Sequence, residues 1–262
     1  MKIKRFTLNG KFVDTIGNGK GKGPGEFIQY LDFCFSGDSM HVIDGRKQML
    51  IQFNANNNTY LHSFKMKFRP MRITSVGNKL VVLSLGKRKL FKIFDQNGNK
   101  VNQFGKLIED PLQNSLSLQG NLVSVNSLNE FIFAPRFASY LFYYNLKGDQ
   151  QKVIQTIDKK SFPTSPHKSS GDVKTISSPR PDLTIESAVK DGNRLYLQYL
   201  KRNQEMDTRK AFVDVHNLQT GKYLFSFRLP IASRIMLVTH KRLYLVSYND
   251  AKLLAFKMNS RN

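Results

Sequence analysis

The clearest local pattern in the chain is FKIFDQNGNKVNQFG, at residues 91–105. It consists of two short apolar runs, ending at Phe94 and Phe104, on either side of the polar segment DQNGN. Aromatic and branched residues favour strands, and a turn rich in Asn and Gly between two such runs is typical of a β-hairpin. We therefore predict two antiparallel strands within residues 91–105.

Copies of this hairpin recur at intervals of roughly 40 to 50 residues, which is the period expected of one blade of a β-propeller. The copies begin at Ile3, Leu50, Phe91, Leu141, Phe212 and Leu253. Before most copies lies another pair of short apolar runs with its own turn, as in residues 71–83 and 187–197. The repeating unit is therefore predicted to have four strands, which we label a to d in chain order.

This repeat predicts an all-β fold, a β-propeller of four-stranded antiparallel blades. No long stretch carries apolar residues at helical spacing. Strand c occurs six times but strands a and b five times, because the first copy lacks a and b and the last copy lacks d. The count allows two blade numbers: six, with two strands missing at the amino end, or five, with the terminal strands sharing one blade.

The segment at about residues 159–183 interrupts the regular spacing. It is rich in Ser, Pro, Lys and Thr, has no apolar periodicity, and lengthens one repeat by roughly 25 residues. It is predicted to be an inserted, mobile loop. Because an insertion between strands leaves blade stacking intact, we expect residues 1–262 to form one propeller domain.

The sequence IGNGKGKGPGEF at residues 16–27, with HVID at 41–44 and MLIQF at 49–53, resembles the six-bladed β-propellers of the NHL-repeat type, especially their bacterial members. The string GPGEF is the most specific part, and the resemblance covers Met1 to about Phe104. It implies six blades. It also implies an exported scaffold in the periplasm or at the cell surface, although some NHL propellers bind RNA, proteins or glycans and a few are enzymes.

From the residues themselves, the glycines of this stretch are expected to serve a sharp turn between blades. A phosphate-binding loop would end in Gly-Lys-Ser or Gly-Lys-Thr and lead into a helix, and this stretch does neither. The chain starts MKIKRF and has no apolar stretch long enough for a signal peptide or a membrane span. A truncated amino terminus would reconcile this start with export.

The formal net charge is +22, with 41 Lys and Arg against 19 Asp and Glu. Such a charge predicts salt-sensitive attraction to polyanions. In a propeller the b–c and d–a loops lie at one face, where rigid strands position variable loops. The candidate anion-binding residues are those of the b–c loops: Arg46, Lys47, Lys87, Arg88, Arg136, Lys201 and Arg202.

Candidates for catalysis are few. The five histidines are far apart in the sequence and have no metal-ligand spacing, and Cys34 lies in an apolar run typical of a core. Asp44 and Asp250 occupy equivalent positions after strand b, where a carboxylate is more often a partner for Arg than an acid–base group. We expect a monomeric, non-catalytic module without cofactor or metal that binds an anionic partner: an acidic glycan, a nucleic acid or an acidic protein surface. The alternatives are a protein-interaction scaffold with incidental charge, and a lyase or hydrolase with a metal in the channel.

Overall fold

The computed structural model describes residues 2–84, 89–105, 118–125, 129–162, 183–203, 208–239, 241–250 and 252–258. The regular structure of these residues is β-strand, and none of them lies in an α-helix. The chain forms two compact units. The first comprises Met1–Glu109, Asn126–Phe131 and Asn145–Asp149, and the second comprises Asp110–Val125, Ile132–Tyr144 and Gln150–Asn262. The single domain expected from the repeat stays a prediction.

The first unit contains two complete antiparallel sheets of four strands in chain order, together with two shorter strand pairs. The shorter pairs are the antiparallel hairpin β1 (Ile3–Phe6) with β2 (Phe12–Ile16) and the parallel pair β3 (Gly19–Lys20) with β4 (Glu26–Phe27). One complete sheet consists of β5 (Tyr30–Ser36), β6 (Ser39–Asp44), β7 (Met49–Asn54) and β8 (Tyr60–Lys65). The other consists of β9 (Pro70–Val76), β10 (Lys79–Ser84), β11 (Phe91–Phe94) and β12 (Lys100–Phe104).

The second unit holds most of a third four-stranded sheet, a complete fourth, and a sheet of three strands. The third sheet consists of β13 (Gly120–Val125), β14 (Glu130–Pro135), β15 (Tyr140–Asn145) and β16 (Gln150–Gln155). The fourth consists of β17 (Leu183–Asp191), β18 (Arg194–Asn203), β19 (Thr208–Asn217) and β20 (Tyr223–Arg228). The three-stranded sheet consists of β21 (Ser233–Thr239), β22 (Arg242–Ser247) and β23 (Leu253–Lys257).

The repeat predicted from the sequence is present strand for strand. Five sheets begin with strands a and b, hairpin β1–β2 supplies a first c–d pair, and the three-stranded sheet has no described strand d. The stretch at residues 91–105 forms β11 and β12. In its turn, the carboxylate of Asp95 accepts the backbone N–H groups of Asn97 (2.9 Å) and Asn99 (2.8 Å). Most of the predicted insertion, residues 163–182, lies outside the described residues.

Within each unit, neighbouring sheets bury their faces against one another. In the first unit, Ile43 and Leu50 of one sheet share a core with Ile73, Leu80 and Val82 of the next. The consecutive residues Leu80 to Leu83 are all buried, so strand β10 is covered on both faces. In the second unit, the fourth sheet packs on the third through one cluster and on the three-stranded sheet through another. A single hairpin could not hide these faces, which is the physical reason for the repeat.

Gly17 lies where hairpin β1–β2 leads into the GPGEF stretch. Its φ of 97° lies in the left-handed region, and a Cβ there would collide with the ring of Phe27, which is fully buried. Two separate features therefore require glycine at this position: the positive φ of the backbone and the absence of room for a Cβ atom.

We predict that Gly17→Ala lowers the free energy of unfolding by about 2 to 4 kcal/mol, because it adds a steric clash to backbone strain. Gly10→Ala is the matched control. Gly10 also has a positive φ, 81°, but nothing lies within 4 Å of a Cβ there. Gly10→Ala should therefore lower the free energy of unfolding by only about 1 kcal/mol. Urea unfolding measures both, and equal losses would contradict the role assigned to Phe27.

Candidate functional site

The loop between β6 and β7 contains the first pair of predicted site residues, Arg46 and Lys47. Its conformation is set by Asp44, whose carboxylate is completely buried. That carboxylate accepts four backbone N–H groups, from Ile28 (2.7 Å), Gln29 (3.1 Å), Arg46 (3.0 Å) and Lys47 (2.8 Å). Two donors precede strand a and two lie in the b–c loop, so Asp44 ties the two loops together.

The two basic residues of this loop differ. The Nζ atom of Lys47 donates hydrogen bonds to the carbonyl oxygens of Glu26 (3.0 Å) and Gly23 (3.4 Å), and the residue is buried. Its ammonium therefore stabilises the GPGEF turn, which gives Lys47 a structural role in place of the surface role expected from the sequence. Arg46 is exposed and stays a candidate for contact with a partner.

Asp250 is not at the position equivalent to Asp44 that the sequence suggested, because Asp44 is the last residue of β6 whereas Asp250 lies in the loop after β22 (Arg242–Ser247). Asp250 is exposed and forms an ion pair with Lys252 at 2.9 Å. Hydrogen bonds from Ser247 and Lys252 lower the pKa of Asp250 to about 2. The part of the chain that the structure describes contains no group of three or more His, Cys, Asp and Glu residues able to hold a metal ion. The buried histidines contact neighbours: His41 Nε2 lies 3.0 Å from Gln96 Oε1, and His216 Nδ1 lies 3.0 Å from the Gly221 carbonyl oxygen.

Replacing Asp44 by Asn should lower the free energy of unfolding by about 2 to 4 kcal/mol, because an amide nitrogen would then face two buried backbone N–H groups. Asp250→Asn, the same change at an exposed carboxylate in another b–c loop, is the control. Because Asp250 is exposed, its variant should keep the wild-type midpoint in thermal or urea unfolding. An Asp44→Asn protein as stable as the control would show that Asp44 does not hold the loops together.

Lys92, near the start of β11, has an ammonium group that is half-buried without a carboxylate partner among the described residues. Its Nζ atom donates to Ser84 Oγ (2.5 Å) and to the Lys89 carbonyl oxygen (3.2 Å), and it lies 4.2 Å from the centre of the Phe68 ring. Burial, reinforced by the positive charges of Lys100 and Lys89, lowers the pKa of Lys92 to about 8. The ammonium of Lys92 therefore contacts groups at the b–c end of its sheet, and its partial burial destabilises the folded state when it is charged.

This destabilisation makes stability depend on pH. Below pH 8 both folded and unfolded chains carry the Lys92 charge, whereas between pH 8 and about 10.5 the unfolded chain alone retains it. Deprotonation of the folded state relieves the desolvation cost, so wild-type protein should gain stability relative to Lys92→Met as the pH rises through this window. Urea unfolding of both proteins at pH 7, 8, 9 and 10 measures the difference, and a constant difference would contradict the assignment.

Three of the remaining predicted residues lie wholly or partly beyond what the structure describes. Lys87 and Arg88 lie outside the described residues, and of Arg202 the backbone alone is described. Arg136 is described and is already paired: its Nη2 atom contacts both carboxylate oxygens of Glu186, at 2.7 and 2.9 Å. Its guanidinium also lies 5.6 Å from the ring centre of Phe137, so that ring contacts a cation of the chain itself.

Like charges face each other where β18 and β19 approach their b–c loop. The register places Lys201 opposite Lys210 and Arg202 opposite Arg209. Directly opposed like charges destabilise an antiparallel pair. Lys201 and Lys210 are both exposed. We call Lys201 and Lys210 the basic hairpin end.

A second feature at this end of the sheets was missed from the sequence. Tyr248 follows β22, and its backbone N–H donates to the Ala232 carbonyl oxygen at 3.0 Å. Over its ring lie the guanidinium carbons of Arg209, 3.8 Å from the ring centre, and of Arg234, 4.3 Å from it. We call Arg209, Arg234 and Tyr248 the arginine cluster. Its members come from β19, from β21 and from the loop after β22, so no local motif marks it.

The arginine cluster gathers positive charge without a described counter-charge. Neither arginine forms an ion pair or a hydrogen bond with a described residue. The two guanidinium carbons are at most about 8 Å apart, a separation at which unit charges repel by roughly 2 kcal/mol at an effective dielectric constant of 20. Contact with the ring offsets part of this repulsion, at about 0.5 to 2 kcal/mol for each cation.

A family of six-bladed β-propellers, DUF5128, matches residues 5–165, which is more than half of the chain. The chain belongs to this family. The all-β fold class is therefore confirmed, as a propeller whose complete blades are four-stranded antiparallel sheets. The family description gives six blades, and the described residues form five sheets of three or four strands and the terminal hairpin. Membership of the NHL-repeat type stays a prediction.

Solved structures share the fold at low sequence identity. A DUF4221 protein from Bacteroides vulgatus is 10% identical with a TM-score of 0.69, over 98% of this chain and 85% of that one. A presumptive exported protein from Bacteroides fragilis is 13% identical with a TM-score of 0.57, over 92% and 73%. BamB from Moraxella catarrhalis is 10% identical with a TM-score of 0.52, over 96% and 90%. No protein of curated function matches the sequence.

The described residues include no helix with the length and apolar character needed to span a membrane.

Proposed function

We propose that this propeller is a non-catalytic binding module that holds an anionic partner at the end of its sheets where the b–c loops lie. The observation that carries the proposal is the basic hairpin end, where Lys201 and Lys210 are exposed and directly opposed. A bound polyanion would relieve this repulsion and would convert an unfavourable arrangement into a favourable one. The net charge of +22 would steer such a partner toward the protein.

The partner is a polyanion: an acidic glycan, a nucleic acid or an acidic protein surface. All three present closely spaced oxyanions, which Lys and Arg bind with charge-assisted hydrogen bonds. We place the protein in the periplasm or at the cell surface. The likeness to the presumptive exported protein of Bacteroides fragilis supports this placement.

A second candidate function is a protein-interaction scaffold whose charge is incidental. Hairpin β1–β2 favours it, because Phe6, Leu8, Phe12 and Val13 all have exposed side chains. The rings of Phe6 and Phe12 meet edge to face, with their centres 5.8 Å apart. Adjacent exposed apolar groups of this kind are typical of contact surfaces. Binding through this hairpin would survive high salt, in contrast to binding through the basic hairpin end.

We expect the double variant Lys201→Glu/Lys210→Glu to elute from heparin at lower salt than wild type and to bind a fluorescent DNA duplex at least tenfold more weakly. The slope of log Kd against log salt should fall by about 2, since two phosphate contacts are lost. The matched control is Lys147→Glu/Lys222→Glu. It makes the same change in net charge at two exposed lysines in c–d turns.

Equal losses in the two double variants would show that net charge alone drives binding, and would overturn the proposed surface. Unchanged elution of both would favour the scaffold. Thermal unfolding of each variant confirms that it remains folded.

A further inference from the structure

We propose that the arginine cluster is a binding site for one phosphate or sulfate group, carried as an ester by the anionic partner. This inference rests on the proposed function and adds a specific receptor to it. It concerns three residues of the second unit, Arg209, Arg234 and Tyr248, none of which was among the candidates chosen from the sequence.

The donors of the cluster are available. A guanidinium carries five N–H donors, and stacking on a ring leaves their edges free. No hydrogen bond joins either guanidinium, or the phenolic oxygen of Tyr248, to another described residue. Arg234 is exposed, whereas Arg209 and Tyr248 are partly buried. The cluster is therefore fixed on one side and open to solvent on the other.

The geometry selects an oxyanion and disfavours a stacked ligand. Two guanidiniums already lie over the Tyr248 ring, so the ring offers little free face to a base or a sugar. What remains is a set of N–H and O–H donors around two positive charges at most about 8 Å apart. An oxyanion at the solvent-exposed edge of this arrangement can accept hydrogen bonds from both guanidiniums.

The number of donor groups favours a tetrahedral anion. One arginine fork already matches the two oxygens of a carboxylate. Two forks with a phenol match the three terminal oxygens of a phosphate or sulfate ester, and two positive charges match a phosphate dianion. Phosphate esters and sulfate esters share this chemistry, and the choice between them is made by the probes used below.

The loop between β18 and β19 contains Glu205 and Asp207, which lie outside the described residues. Both are close in sequence to Arg209 and are potential competitors for its guanidinium. The double variant Glu205→Gln/Asp207→Asn therefore serves as a second probe of the site. If the cluster receives an external oxyanion, removal of these charges should leave its affinity for phosphate unchanged or increase it.

The test is an NMR titration of the arginine Nε–Hε signals at constant ionic strength. The probes are inorganic phosphate, glucose 6-phosphate, glucose 6-sulfate and acetate. Two signals should shift with phosphate and with at least one ester, and acetate should bind at least tenfold more weakly. The double variant Arg209→Lys/Arg234→Lys identifies these signals by their loss. Tyr248→Phe keeps the ring, removes one donor and should weaken binding severalfold.

The lysine double variant keeps the net charge of the protein but removes the planar forks, so its phosphate affinity should fall at least tenfold. Phosphate binding that is unchanged in this variant, or equal binding of acetate and phosphate by the wild-type protein, would overturn the site. A loss of phosphate affinity in the Glu205→Gln/Asp207→Asn variant would also overturn the site.

The heparin experiment separates this inference from the proposed function. Lys201→Glu/Lys210→Glu should weaken heparin binding, whereas its affinity for phosphate at the arginine cluster should stay within about threefold of that of the wild-type protein. If heparin binding depends on Lys201 and Lys210 while phosphate binding does not depend on the arginines, the proposed function stands and this site does not. If neither dependence is found, both fail.

Discussion

Burial of both faces of the sheets is the constraint on which the rest of this structure depends. Strand b of the fourth sheet is apolar on the consecutive residues Leu195, Tyr196 and Leu197, because the third sheet covers one of its faces and the three-stranded sheet covers the other. A sheet with two apolar faces is not stable alone in water, so the units must be made of packed sheets. The ends of those sheets are then fixed, and their loops carry residues that the core does not need.

Much of the fold could be predicted from the sequence because its signals are local and repeated. Alternating apolar runs and turns such as DQNGN specify hairpins, and six copies at a similar spacing specify the repeat. The blade number could not be obtained by counting. Counting the copies shows which strands this sequence contains. The number of blades depends on how the ring of sheets closes, which the count does not determine. The family that the chain belongs to has six blades.

The candidate site was less predictable, and Lys47 shows why. A lysine in a polar loop is expected to be exposed, but its ammonium contacts carbonyl groups of Gly23 and Glu26, more than 20 residues earlier in the chain. Conversely, Arg209 and Arg234 lie in strands β19 and β21, so the pattern of basic loops does not include them. The contact of Arg209 with Tyr248 depends on how the fourth sheet packs on the three-stranded sheet, which no spacing in the sequence encodes.

Native-state hydrogen exchange as a function of urea tests the central claim, that neighbouring sheets shelter one another, most directly. If they do, the central-strand amides of β6 and β10 should open in one shared event with one free energy. The amides of β18 and β22 should likewise open together. Exchange in which β6 opens at low free energy while β10 stays protected would show that each sheet is stable alone, and would contradict the claim.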